Sequence, residues 1–588
     1  MRKEPKFLSI LIIPTFLITS CGCSMAQSSD EKLVDVYDLD ILEGTNKESC
    51  HVGKVKALFR TDQYYVPYLS LNQYAELYDS HFANGTTSSV AKRGDLITWT
   101  IYTQEGLCFI SQIDVAHKTI LSAGSISAAY KANDDPIDYG SLYYGSTSTY
   151  DGGYAGDSIY SRYSYADIEM NTITSFGNVY FPLGFLDTTY SYNSNIYFYY
   201  NYAGIYSTRT IENYYTTTFE SEGTSLTVNK EMAKYKTTSS MPAYLKDYNA
   251  NMFMYLLDNF YGLKEYKGIK TAKEYCQQAG TYNNLFSDND QERAQAYADT
   301  LAKLDDNHTG LVAGNEAWGE NVFDVRPYGD GCKARSELRV DLINKRKSMM
   351  NSTYYAQNNE PVFSSDGQTA MFYFDSFIFG STEQVFDNNG QIKDDAWYYD
   401  SFLSISRLFN NLKARGGVRN VILDISTNGG GVLGVLMKVL ALISIDNTSN
   451  LFYFEASNQQ YGIASTRVDV DDNGVYDLDD CFGDDFNIYL LTSDCSFSCG
   501  NALPCLAQIE GTAKIIGQKS GGGECAVGMH YLPNGEYVYH SSSLHLGYFD
   551  TRTKQFIGFE DGAEPDIVVD DYNDFYNIDR LASYISIE

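Results

Sequence analysis

The run Val421-Ile422-Leu423-Asp424-Ile425-Ser426-Thr427-Asn428-Gly429-Gly430-Gly431 decides the architecture. Its aliphatic first half reads as a strand buried on both faces, its glycines as a turn, and Gly434 to Ile443 as a helix. Glycines let backbone N–H groups approach a ligand closely, and a helix N-terminus favours negative charge. Such a turn can cradle a phosphate or an oxyanion, or be a plain structural turn. No Lys-Ser/Thr follows the glycines, which disfavours a P-loop nucleotide site.

The pattern continues outward. Thr369 to Phe374 and Phe486 to Leu491 read as strands, Val418 to Ile425 as a buried strand, and Trp397 to Leu412 as a helix. Strands alternating with helices imply βαβ units, hence an α/β core with a largely parallel sheet. Upstream the texture differs. Residues 240–310 carry apolar side chains at helical spacing, including Met252, Tyr255, Leu256 and Phe260, with a second helix from about Gln291 to Leu304. Residues 34–225 form a β-rich, Tyr-rich accessory region, with strands such as Ile97 to Tyr102 and Asn195 to Tyr200. Tyr64 to Leu77 reads as a strand entering a short helix, and Val179 to Leu186 is its weaker echo. The Gly- and Ser-rich stretch from Gly140 to Tyr163 reads as a mobile insertion.

Composition excludes several function classes. Lys+Arg 43 against Asp+Glu 75 leaves a net charge of −32, which argues against binding nucleic acid or anionic lipid through charge. Hydrophobic content of 44% excludes a disordered chain. Residues 1–20 read as a secretory signal: Arg2, Lys3 and Lys6 precede an apolar run from Phe7 to Ile18 that is too short to span a bilayer. Ile18-Thr19-Ser20-Cys21 resembles a bacterial lipobox with Cys21 as the lipidated residue; the alternative is ordinary cleavage near Ala26. The expectation is an exported cell-surface lipoprotein held to the membrane by its N-terminal lipid only. The 11 cysteines show neither a CxxC pair nor a zinc spacing, so no pairing is assigned.

Two further segments carry chemistry. Leu490-Leu491-Thr492-Ser493-Asp494-Cys495-Ser496-Phe497-Ser498-Cys499-Gly500-Asn501 is a strand followed by a tight turn of small residues. Most hydroxyls there are N-caps, but a strained turn can present a nucleophile with the next N–H aimed at an oxyanion. Leu304-Asp305-Asp306-Asn307-His308-Thr309-Gly310 sets one of 7 histidines among acidic and small polar residues, either a general base or a solvated loop histidine.

Taken in order, Asp-Asp-x-His-Thr, Leu-Asp-x-x-x-Asn-Gly-Gly-Gly and Ser-Phe-Ser-x-Gly-Asn resemble the C-terminal processing (tail-specific) and tricorn-like serine peptidase family. Ile515 to Gly523 and Glu560-Asp561-Gly562-Ala563-Glu564-Pro565-Asp566 fit the same family, and the resemblance runs from about Tyr244 to Val569. It implies a serine peptidase with a crotonase-like α/β core over 311–588, acting on peptide or protein substrates without a required cofactor. It implies Ser498 as nucleophile, with Ser496 as the fallback. In the family's Ser-Lys branch a lysine follows the glycine-rich segment; here Gly523 holds that place and Lys519 lies earlier, so His308 is the expected base. Glu560 matches the carboxylate of the tricorn-type tetrad, although Asn307 replaces the serine that precedes the histidine there. The oxyanion hole is expected from Cys499 N–H with Gly429 or Gly430. The interval after His308 is short for a PDZ domain, and none is expected. The rival class is a catalytically inactive surface protein using its Tyr-rich region to bind peptide or glycan.

Outside that resemblance, Asp469 to Asp480 sets Asp469, Asp471, Asn473, Val475 and Asp480 at ligand-bearing positions of a calcium loop, with Gly474 at the turn. It is a candidate structural calcium site or a solvated acidic turn. Cys499 and Cys525 are candidates for a disulfide, a buried thiol pair or an alternative nucleophile.

Overall fold

The computed structural model describes residues 34–44, 49–131, 144–154, 160–194, 196–200, 204–208, 215–220, 223–228, 241–312, 329–349, 360–550, 552–553 and 555–587. The signal segment 1–20, Cys21 and Ala26 lie outside the described residues.

The strand read at Val421 is the centre of a six-stranded sheet. Its order is Val362–Phe363, Thr369–Tyr373, Asn420–Asp424, Asn487–Thr492, Lys514–Gly517 and Ile567–Val568. The last five run parallel and only the first is antiparallel. Alternation along the strands feeds two cores. Val421, Leu423, Ile488 and Leu490 pack under helices Ser401–Arg415, Leu433–Ile443 and Cys499–Glu510. Ile422, Tyr489 and Leu491 face the other way, against Leu342, Tyr576, Leu581 and Ile585. Burial on both faces is why these strands lack polar alternation, and each fully buried aliphatic side chain contributes about 1.5–3 kcal/mol.

A second sheet brings distant segments together. The long strand Tyr537–Asp550 pairs with Gly310–Val312, directly after His308, and with Cys525–Tyr531, directly after the glycine segment. It also pairs with Ser449–Glu455, which pairs with Gln460–Val468. Strand Ser146–Tyr154 joins that edge through its pairing with Gln460–Val468. For residues 144–154 this corrects the expectation of a mobile insertion from Gly140 to Tyr163, of which 140–143 and 155–159 lie outside the described residues.

The two strand-to-helix units exist, as Gln63–Ser70 into Leu71–Glu76 and Asn178–Pro182 into Leu183–Ser194. They pair with each other, Phe181 opposite Leu69. The division expected between 34–225 and 240–310 is not a division in packing. Met252, Tyr255 and Leu256 of helix Ala243–Asn259 share one apolar cluster with Tyr74, Trp99, Phe181 and Tyr190.

A histidine pair in this fold makes stability pH-dependent. His540 Nδ1–H donates to Ser541 O at 3.0 Å, so its Nε2 accepts from His530 Nδ1–H at 2.9 Å. Both rings are fully buried, and His530 packs at a tilt against Phe260, ring centroids 4.8 Å apart. Burial lowers the His540 pKa to about 4, with the Ser541 carbonyl and Asp306 opposing, and lowers His530 further below its usual range. A depressed folded pKa stabilises above the unfolded value of about 6.5 and is lost as pH falls toward 4. The stability gap between wild type and His540→Gln is therefore expected to shrink by about 3 kcal/mol from pH 7 to pH 4, measured by urea unfolding. A gap independent of pH would rule out the neutral pair.

Candidate active site

Strand Asn487–Thr492 delivers the chain into a turn that ends at Ser498, the N-cap of helix Cys499–Glu510. Ser498 has φ 57° and ψ −125°, a backbone region that costs a non-glycine residue about 1–3 kcal/mol. Hydrogen bonds impose it. Ser498 N–H donates to Gly522 O at 2.9 Å, Phe497 N–H to Asn428 O at 3.0 Å, and Gly521 N–H to Ser496 O at 2.8 Å. The side chain of Ser498 caps nothing, is half-buried, and makes no hydrogen bond among the described residues. Ser496, by contrast, is fully buried; its hydroxyl donates to Ile425 O at 2.8 Å and accepts from Ser493 N–H at 3.1 Å. Of the two serines, only Ser498 has a hydroxyl free to react.

The glycine turn stands against this serine. A Cβ on Gly430 would lie 2.6 Å from Ser498 Cβ and 3.0 Å from its Oγ, and a Cβ on Gly523 would meet the Phe497 ring at 2.5 Å. Cys499 N–H and Gly429 N–H donate to no acceptor among the described residues, as oxyanion donors require. Gly430 is a correction: its N–H is occupied by Asn428 Oδ1 at 2.9 Å, so its part is to let the turn approach the serine.

His308 is held by its own turn. Its N–H donates to Asp306 Oδ1 at 2.9 Å, and Thr309 Oγ1 donates to Asp306 Oδ2 at 2.6 Å. The ring is 7% exposed, lies edge-on to Phe497 at 4.8 Å, and leaves Nδ1 buried without a partner. Burial lowers its pKa, with Asp306 opposing, Arg335 reinforcing and the Cys525 backbone opposing. The imidazole is thus kept neutral, as a base must be. It is not hydrogen-bonded to Ser498 in this structure.

Glu560 matches the family's tetrad carboxylate by sequence, but among the described residues its carboxylate hydrogen-bonds neither Asn307 nor His308. Glu560 Oε2 accepts from Gly523 N–H at 3.1 Å and Glu524 N–H at 3.0 Å, bracing the glycine segment that receives Ser498 N–H. Burial raises its pKa to about 7, the Glu524 backbone opposing and Asp306 adding to the rise. Lys519 pairs with Glu564 at 2.6 Å on the surface. The thiols stay unpaired: Cys499 and Cys525 are free and buried, and burial pushes Cys499 up to about 12 and Cys525 well above its usual value. Neither is a ready nucleophile.

Sequence reasoning missed helix Asp330–Met349, of which it noted only the basic patch Lys345-Arg346-Lys347. The His308 loop caps that helix, Asp305 accepting from Gly331 N–H at 3.0 Å and Cys332 N–H at 2.9 Å. Arg335 then forks onto Asp494 at 3.1 and 3.2 Å, and its guanidinium lies 4.9 Å from the Phe497 ring centroid. Arg339 donates to Thr427 O at 3.0 Å. One helix therefore ties the histidine loop to both turns at Ser498. Elsewhere, the acidic loop brings carboxylate oxygens of Asp469, Asp471 and Asp480 within 4.8 Å of one another. Gly474 N–H donates to Asp469 Oδ2 at 2.8 Å, with Gly474 at φ 79°.

The model of peptidase family S41 matches residues 398–569. A crystal structure from Parabacteroides merdae is 18% identical, covering 58% of this chain and 96% of that one, with a TM-score of 0.40. The structure of mature CPAF is 11% identical over 59% of this chain and 96% of its own (TM-score 0.36). The tricorn protease is 10% identical over 85% of this chain and 59% of its own (TM-score 0.33). No curated protein matches the chain.

Proposed function

We propose that this chain, whose residues 398–569 match the model of peptidase family S41, is an exported, lipid-anchored serine endopeptidase working through a Ser498 acyl-enzyme. The observation that carries the reading is the backbone of Ser498: an unpartnered hydroxyl raised on a strained turn, with Gly430 against it and the Cys499 N–H behind. In the mechanism His308 removes the hydroxyl proton as Oγ attacks the peptide carbonyl. The oxyanion develops toward Cys499 and Gly429 N–H groups, and His308 returns the proton to the leaving amine. Water, deprotonated by the same ring, then hydrolyses the ester and frees Ser498. The mechanism requires the ring to turn from Phe497 to the hydroxyl in the substrate complex, where catalytic hydrogen bonds often tighten. Attachment through Cys21 would set the core on the outer face of the cell envelope, where its substrates are peptides or proteins. A fluorophosphonate probe is expected to label the wild type and neither Ser498→Ala nor His308→Ala. Labelling of the Ser498→Ala variant at full strength would sink the assignment.

The Asp469–Asp480 loop is proposed to hold a structural calcium ion. The donor set fits: hard carboxylate oxygens of Asp469, Asp471 and Asp480 converge, with Asn473 and the Val475 carbonyl at the remaining loop positions. Millimolar calcium is expected to raise the melting temperature by a few degrees, by about 2.7 kcal/mol of stabilisation at a hundredfold excess over Kd. Asp480→Ala should abolish that shift; a wild type indifferent to calcium and to chelator would exclude the ion.

A further inference from the structure

Next to Glu560, three side chains of metal-ligand type close on one point. Cys525 and His545 are cross-strand register partners in the second sheet, and Glu524 precedes Cys525. Glu524 Oε1 stands 2.6 Å from His545 Nδ1, and Cys525 Sγ stands 3.7 Å from the same nitrogen. The carboxylate oxygen, the sulfur and the imidazole nitrogen all lie within 4.8 Å of one another.

A catalytic relay looks different. In a thiol–imidazole–carboxylate relay the thiol and the carboxylate occupy opposite ring nitrogens, so that a proton taken at one is compensated at the other. Here both face Nδ1, and Nε2 is buried without a partner. A single N–H cannot serve two acceptors in line. Convergence of three donors on one side of the ring is instead the arrangement of a chelate. We infer that Glu524, Cys525 and His545 form a binding site for a zinc-type divalent ion, through one carboxylate oxygen, Sγ and Nδ1, with a fourth position left for water.

The surroundings are built for those donors. Zinc takes thiolate, imidazole and carboxylate at about 2.0–2.3 Å in a tetrahedron, whose ligand atoms stand roughly 3.3–3.8 Å apart. The sulfur–nitrogen separation of 3.7 Å already has that value. The shorter oxygen–nitrogen contact opens by under about 1 Å when the ion replaces the shared proton. The second oxygen of Glu524 accepts from Glu560 N–H at 2.8 Å, which orients the carboxylate as an outer-shell partner does. Two glycines make the space: a Cβ on Gly558 would fall 1.9 Å from Glu524 Oε2, and one on Gly262 would come 3.1 Å from Cys525 Sγ. Carboxylate, thiolate and imidazole together select zinc-type ions over calcium or magnesium, which prefer oxygen alone. An ion here would pin the segment Gly523-Glu524-Cys525, whose backbone supports Glu560 and flanks His308. The inference stands whether or not the chain hydrolyses peptides.

The test uses the full chain, stripped with chelator and held in excess calcium so that the Asp469–Asp480 loop does not compete. Titration with Co2+ is expected to reach one equivalent and to develop a thiolate-to-cobalt charge-transfer absorption that Zn2+ displaces. Cys525→Ser should remove that absorption, and His545→Gln and Glu524→Gln should each weaken Zn2+ binding by about tenfold or more. Cys108→Ser, a substitution in a different sheet, should leave both unchanged. The wild-type spectrum stands even if a variant misfolds. Absence of stoichiometric cobalt, a spectrum without the thiolate band, or a band that survives Cys525→Ser in a folded variant overturns the site.

Discussion

Replacing Ser498 by alanine is expected to lower kcat by at least about 10⁴-fold on a peptide or ester substrate, with KM little changed. In the proposed mechanism its hydroxyl is the reactive group; the surrounding N–H donors remain, so residual turnover above the uncatalysed rate should persist. Ser496→Ala separates this from a general weakening of the turn. That hydroxyl joins Ile425 O to Ser493 N–H, and its loss leaves the Ser493 N–H unpaired, Ile425 O keeping the Asn428 N–H, at a cost of about 1–3 kcal/mol while sparing Ser498. Ser498→Gly adds a second arm. Glycine adopts φ 57° without strain, so this inactive variant should equal or exceed wild-type stability by about 1 kcal/mol, whereas alanine keeps the strain. Equal burst amplitudes for wild type and Ser498→Ala, read by active-site titration, would remove Ser498 from the mechanism.

How far the sequence could reach depends on which force sets each element. Val421 to Ile443 was legible because hydrophobic burial on both faces leaves an unbroken aliphatic strand and then an apolar helix, a signal that no tertiary context reverses. Helix Asp330–Met349 was not legible. It has little apolar face: Leu342 and the Arg346 side chain are buried, while Arg335 and Arg339 hold it by ion pairing and hydrogen bonding to distant segments. Periodicity searches look for a stripe that this helix does not need. Strand Ser146–Tyr154 escaped for a related reason, being a sheet edge of small polar residues whose pairing is made by the backbone of Gln460–Val468. At the site, the choice between Ser496 and Ser498 rested on family resemblance, because a two-residue shift around one turn decides which hydroxyl is tied and which is free. The Gly430 donor was misassigned since sequence could not show that Asn428 folds back onto that N–H. Glu560 had the right neighbourhood, but its partners are backbone groups, to which sequence is blind.

Arg346→Met is expected to cost about 3–5 kcal/mol of folding stability at neutral pH, the largest structural effect of any single substitution considered. The guanidinium is 1% exposed and reaches across the C-terminal ends of two parallel strands. It donates to Asp375 at 2.9 and 2.5 Å, to Asp424 at 3.4 Å and to Thr427 Oγ1 at 3.1 Å, while stacking 3.9 Å over Tyr373. Methionine fills part of the volume but leaves Asp424, 1% exposed, with a buried charge and no cation. The pH dependence identifies the cause. Burial already raises the Asp424 pKa, with Arg346 opposing; removing Arg346 raises it further. A carboxyl whose folded pKa lies above its unfolded value of about 3.9 stabilises below that value and loses the contribution as pH rises through the folded pKa. The deficit of the variant should therefore be small near pH 4 and full at pH 7, and adding Asp424→Asn should recover part of it at pH 7. Because Thr427 leads into Asn428 and Gly429, the glycine turn proposed to receive the oxyanion should loosen as well, lowering kcat in protein that is still folded. Urea unfolding at the two pH values is the measurement. A deficit under about 1 kcal/mol at pH 7, or one that grows on acidification, would mean that the pair is not what joins this helix to the sheet.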